Sequence, residues 1–147
     1  MVDERPYARV LFVDDDPMVL RSFERVFPGA GYAEHGANAI VLIQHHKVLG
    51  KPWAVLVADV RMPGMDGVEL CARAREISPQ TRRVLLSGHW DDLDANRAVN
   101  EAGASAVLTK PMNLIDIAAV IDGLLAQRRA SDSSQTLRAV DPERERA

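Results

Sequence analysis

Asp14, Asp15 and Asp16 close one apolar run of the chain, Asp59 closes a second, Ser87 a third and Lys110 a fourth. Each run is short and continuously apolar, the pattern of a strand buried on both faces. A residue that follows such a run stands at the carboxyl edge of a sheet, where ligands of open α/β proteins collect in a crevice ringed by loops. Carboxylates gathered there repel one another and resist ionisation unless a cation joins them. No paired His or Cys accompanies them, so the implied cation is a hard divalent ion held by oxygen, and Mg2+, which keeps several waters and takes only one or two carboxylates, fits best. With a metal, the Lys110 ammonium and the Ser87 hydroxyl beside it, Asp59 could carry a phosphoryl group whose oxygens each find a partner. Singly these signals are plain: an acid pair can cap a helix, Lys110-Pro111 can be a surface loop and Ser87 a turn hydroxyl. Their order along the chain is what makes them specific together.

The elements that must position them alternate in type. A strand is expected over residues 9–13, followed by a helix that opens at Pro17, as suits proline in a first turn, and carries Val19, Leu20, Phe23, Val26 and Phe27 at helical spacing up to Pro28-Gly29. A short second strand is expected over 32–34, a helix from 37 to about 48, and then the strand ending at Asp59, which Pro63-Gly64 and Asp66-Gly67 break off. The third helix is predicted over 68–77, the fourth strand over 84–86, a more polar helix over 91–102 closed by Gly103, and the fifth strand over 106–109. Asn113, with Asp116 three residues on, reads as the N-cap of a last helix whose stripe is Leu114, Ile117, Ala118, Ile121, Leu124 and Leu125. Five strands alternating with helices long enough for crossovers predict a doubly wound parallel sheet with helices on both faces. The ordered domain is expected over 7–129. Residues 130–147 hold almost nothing apolar and are expected to be a disordered tail or linker remnant.

Composition narrows the function. Eighteen Lys+Arg against twenty-one Asp+Glu among 147 residues give a net charge of -3, which supplies no basic field for nucleic acid phosphates. Direct nucleic acid binding is not expected, and no apolar run approaches the roughly 18 residues of a membrane span. The single cysteine, Cys71, excludes an internal disulfide, and no leader opens the chain, so a reducing cytoplasmic setting is expected. Cys71 falls on the apolar stripe of the third helix as a small core residue. His45 and His46, adjacent on a helix, point about 100° apart and cannot share a metal as residues four apart can.

The segments Val13-Asp14-Asp15-Asp16-Pro17, Asp59-Val60-Arg61-Met62-Pro63-Gly64-Met65-Asp66-Gly67, Leu86-Ser87-Gly88 and Thr109-Lys110-Pro111 resemble the receiver domains of bacterial two-component response regulators, and the resemblance extends over residues 8–128. It implies the flavodoxin-like sheet order 2-1-3-4-5. It also implies that Asp59 is the phosphoacceptor served by a histidine kinase or phosphotransfer protein, and that Asp14, Asp15, Asp59 and the Arg61 main-chain carbonyl hold Mg2+. Ser87 and Lys110 would bind the phosphoryl oxygens. Such a domain is not an enzyme in the ordinary sense, since it catalyses only its own phosphorylation and dephosphorylation.

In the family the added charge switches a protein-binding surface made by the fourth helix, fifth strand and fifth helix, here residues 91–127, toward a downstream protein target. A homodimer through the fourth and fifth helices belongs to the same repertoire. The usual reporter is an aromatic three residues before the lysine; here that position is Val107, and Trp90, just past Ser87-Gly88-His89, is the candidate substitute. Arg61 and His89 occupy the positions that tune the lifetime of the phosphorylated state. Two other readings compete. One is a receiver fold that binds its partner without phosphorylation. The other is a phosphatase of the haloacid dehalogenase type with Asp14 as nucleophile and Asp16 as general acid, which leaves the Asp59 segment unexplained.

Overall fold

The structure, a computed structural model, describes residues 5–88, 92–110 and 113–138. Its elements follow one another as β1 (Val10–Val13), α1 (Pro17–Val26), β2 (Gly31–Ala33), α2 (Gly36–Val48), β3 (Val55–Asp59), α3 (Gly67–Ile77), β4 (Arg82–Ser87), α4 (Asp92–Asn100), β5 (Ala106–Thr109) and α5 (Leu114–Arg138). All strand pairs are parallel, and the sheet order is β2-β1-β3-β4-β5, the flavodoxin-like arrangement.

The sheet separates two cores, and alternation along each strand assigns side chains to them. Leu11, Val13, Leu56, Ala58 and Leu85 meet Ala39 and Ile43 of α2, Val68, Cys71 and Ala74 of α3 and Ala98 of α4. Val10, Phe12, Val55, Val57, Val84 and Leu86 meet Leu20 and Phe23 of α1 and Ile117, Ile121 and Leu124 of α5. The second core is aromatic: the Phe12 ring lies 4.6 Å from that of Phe23 and 4.9 Å from that of Phe27. Cys71 is buried, as expected, and burial pushes its thiol up to about 12, which leaves it inert.

Local chemistry starts and stops the helices. Asp16 caps α1, its carboxylate accepting from the Met18 N–H at 2.9 Å, with Pro17 in the first turn. Asp66 caps α3 by accepting from the Glu69 N–H at 2.8 Å. Asn113 accepts from the Asp116 N–H at 2.8 Å at the start of α5. Two boundaries differ from the sequence reading. Strand β2 begins at Gly31 rather than at residue 32, in register with Leu11; a Cβ at Gly31 would stand 2.4 Å from the Trp53 ring, so only glycine lets the buried indole lie there. And α5 runs on to Arg138, into the stretch expected as tail. Apart from Gly123, residues 114–138 contain neither glycine nor proline, so nothing stops the helix where the apolar stripe ends, and its last turns are polar all round.

Candidate phosphoryl and metal site

Register brings the chemistry together. Val13 of β1 pairs with Ala58 of β3, so Asp14 and Asp59 emerge side by side from neighbouring strands. Ser87 pairs with Thr109, which sets Lys110 beside the end of β4. Main-chain bonds close this edge: the Val60 N–H donates to the Leu86 carbonyl at 2.9 Å and the Lys110 N–H to the Ser87 carbonyl at 2.7 Å.

Asp14, Asp59 and Ser87 are all buried, an unusual environment for two carboxylates. The Lys110 ammonium reaches in from a side chain about one-third exposed and donates to Asp59 Oδ1 at 3.3 Å, with Asp14 Oδ2 at 3.6 Å from the same nitrogen. Asp14 Oδ1 accepts from the Asp16 N–H at 2.9 Å, whereas its buried Oδ2 has no hydrogen-bond partner. Burial is the main cause that holds the Asp14 carboxyl above its ordinary range, against the Asp16 N–H and the Lys110 charge. Burial also raises Asp59, opposed by Lys110 and reinforced by the Asp14 charge.

One lysine is short of cation for two buried carboxylates. Asp14, Asp15 and Asp59 each offer an oxygen, and these oxygens lie within 4.8 Å of one another. An all-oxygen set with an orphaned buried acceptor fits a hard divalent cation such as Mg2+. Asp15 also lines an open cleft of about 520 Å³ with Arg61, Asp66 and Arg97 on its walls. Asp16 does not join the cluster, because its carboxylate is committed to capping α1; the pairing of Asp14 and Asp16 as nucleophile and general acid gains no support.

The other residues singled out from sequence fall differently. Arg61 is exposed on the loop after β3, a loop closed where the Gly67 N–H donates to the Val60 carbonyl at 2.9 Å. Val107 lies on the edge strand β5, opposite Leu85 and 39% exposed, so no aromatic fills that place. His89 and Trp90 lie outside the described residues. His45 and His46 sit on α2, the His46 ring against Trp53 at 4.3 Å. Sequence reading missed Arg97, whose guanidinium bridges from α4 to Asp66 at 3.2 Å. Only the partner was signalled, by the capping-box spacing of Asp66 and Glu69.

Comparison with known proteins matches this geometry. Residues 10–122 match the family described as the response regulator receiver domain. The chain is 28% identical over 137 residues to the DNA-binding transcriptional regulator NtrC of Escherichia coli, covering 90% of this chain but 28% of that protein. It is 31% identical to the response regulator receiver protein CpdR of Brucella abortus, covering 80% of this chain and 96% of that one. Among solved structures, the crystal structure of adenylate cyclase from Rhodopirellula baltica superimposes with a TM-score of 0.76 at 34% identity, covering 87% of this chain and 94% of that one.

Proposed function

Since the chain belongs to the response regulator receiver domain family, we propose that it is a phosphorylation-dependent signalling receiver whose phosphoacceptor is Asp59. The observation that carries this is the Lys110 ammonium set between two buried carboxylates, one of them with an unpartnered oxygen. A structural ion pair has no use for the second carboxylate, because burying an extra negative charge is unfavourable. A phosphoacceptor needs both, one to be modified and one to hold the cation.

In this reading Asp14, Asp15, Asp59 and the Arg61 main-chain carbonyl hold Mg2+, which when bound offsets the negative charge on the phosphoryl oxygens. An Asp59 carboxylate oxygen attacks the phosphorus of a phosphohistidine on a histidine kinase or phosphotransfer protein. The new O–P bond forms as the P–N bond breaks, and the released imidazole nitrogen takes its proton from water. Lys110 and Ser87 bind phosphoryl oxygens, as charge-assisted donors do. Water later hydrolyses the acyl phosphate, and Arg61 and His89 set how fast.

The output is a protein target in the cytoplasm, met by the face of α4, β5 and α5, the face through which a homodimer would also form. Trp90 takes over the reporting role that Val107 cannot fill. The chain spans 28% of the length of NtrC, so the DNA binding in that protein's name is not transferred, and among the described residues no helix is long and apolar enough to cross a membrane.

Intact mass after incubation with Mg2+ and a small acyl phosphate tests the proposal. One phosphoryl adduct is expected on the wild type, none on Asp59→Asn and none when Mg2+ is chelated. No adduct on folded wild-type protein would overturn it.

A further inference from the structure

Helix α4 is held unequally at its two ends. Past its carboxyl end, Arg83 Nε donates to the carbonyls of Ala102 and Gly103 at 3.0 and 3.1 Å, and Arg75 Nη2 to the carbonyl of Glu101 at 2.9 Å. These charged donors satisfy carbonyls that the helix leaves open and oppose the negative end of its dipole. Ala98 and Ala102 are fully buried beneath. That end is pinned by main-chain contacts that no side-chain rotation of α4 can release.

Toward the phosphoacceptor the attachment is of another kind. Arg97 Nη2 meets Asp66 Oδ2 at 3.2 Å, with both side chains close to one-third exposed, and Asp66 ends the loop that begins directly after Asp59. The two Asp66 oxygens have separate tasks, since Oδ1 caps α3 and Oδ2 faces Arg97. Arg97 also lines the cleft onto which Asp15 opens. An ion pair in such a place is weak and depends on the charges around it.

We propose that the Asp66–Arg97 bridge is a charge-sensitive latch between α4 and the phosphoacceptor loop, and that phosphorylation releases it so that α4 pivots on its pinned carboxyl end. The proposal rests on the reading of Asp59 as phosphoacceptor. A phosphoryl group adds about -1.5 to -2 charges to the site bordering the cleft, and this anion competes with Asp66 for the guanidinium. By linkage, whatever opens the latch also biases the loop that carries Arg61. Arg97 is thus a positioning residue that acts through Asp66.

Hydrogen exchange of the α4 amides, measured on the full chain before and after treatment with Mg2+ and a small acyl phosphate, tests this. Asp66→Asn keeps the oxygen that caps α3 and loses the charge. In the unmodified protein, Arg97→Ala and Asp66→Asn should each speed α4 exchange about two- to five-fold. The double variant should go no further than the larger single, and Arg97→Lys should stay closer to wild type than Arg97→Ala. Phosphorylation should speed α4 exchange in the wild type and add little in Arg97→Ala. Additive single effects, or an equal response to phosphorylation in wild type and Arg97→Ala, would overturn the latch. Absence of an adduct on the wild type would count against the Asp59 reading instead, while the unmodified series still decides whether the bridge restrains α4.

Discussion

Gly67→Ala is expected to lower the unfolding free energy by about 3 kcal/mol and to slow phosphorylation of Asp59 in whatever protein remains folded. An added Cβ at Gly67 would stand 2.3 Å from the Asp59 carbonyl oxygen and 2.9 Å from its carbon. Both atoms are main chain in a central strand, so no rotamer change relieves the overlap; β3 or the start of α3 must move. The atoms struck belong to the phosphoacceptor itself, which ties stability loss to chemical loss at one position. Gly64, three residues earlier, is the control: its φ of +74° disfavours alanine but nothing lies within 4 Å, so Gly64→Ala should cost only about 1 kcal/mol of backbone strain. Urea unfolding of both variants checks the comparison, and a Gly67→Ala protein within about 1 kcal/mol of wild type would show that the α3 start is looser than its geometry.

Asp59→Asn should abolish phosphorylation and, in Mg2+-free buffer at neutral pH, raise stability by about 1–3 kcal/mol, because a buried charge in a crowded cluster is removed. The pH dependence follows in sign. Burial raises both Asp14 and Asp59 above their ordinary carboxyl range, so the folded state favours their protonated forms. What each contributes is fully present below the unfolded carboxyl pKa and is lost as pH rises through the raised folded value. Wild-type stability without metal should therefore fall across that window, and less so in Asp59→Asn. Mg2+ binds the ionised carboxylates and stabilises by mass action, so its addition should narrow or reverse the gap, increasingly as pH rises. Lys110→Met should move the other way and lose about 1–3 kcal/mol without metal, a partly exposed lysine being worth less than a fully buried one. Thermal melts over pH with and without Mg2+ read all three, and an Asp59→Asn protein less stable than wild type without metal would mean that the Lys110 pair outweighs the burial of charge.

The strands carrying Asp14, Asp59, Ser87 and Lys110 were legible because a doubly covered parallel strand must be apolar throughout, and each run stops at the residue that does the chemistry. Their convergence followed from one sheet order. What stayed hidden depended on partners distant in the chain. The start of β2 at Gly31 is set by the Trp53 ring, and the Asp66–Arg97 bridge joins residues with no periodic relation. The reach of α5 to Arg138 was obscured for a different reason: apolar spacing marks where a helix is buried, and a polar helix without glycine or proline continues past that point unannounced.

The bond from Lys110 to Asp59 spans 51 positions of sequence, and β5 enters the sheet last in chain order, at its edge. A chain growing from its amino end thus has its three carboxylates in hand well before the ammonium that reconciles two of them. Incomplete chains have acid but no counterion, and strands that pair in parallel across long separations close slowly. Docking of the final strand is therefore both the end of folding and the first moment at which the protein can receive a signal. Truncated or half-folded copies are mute by construction.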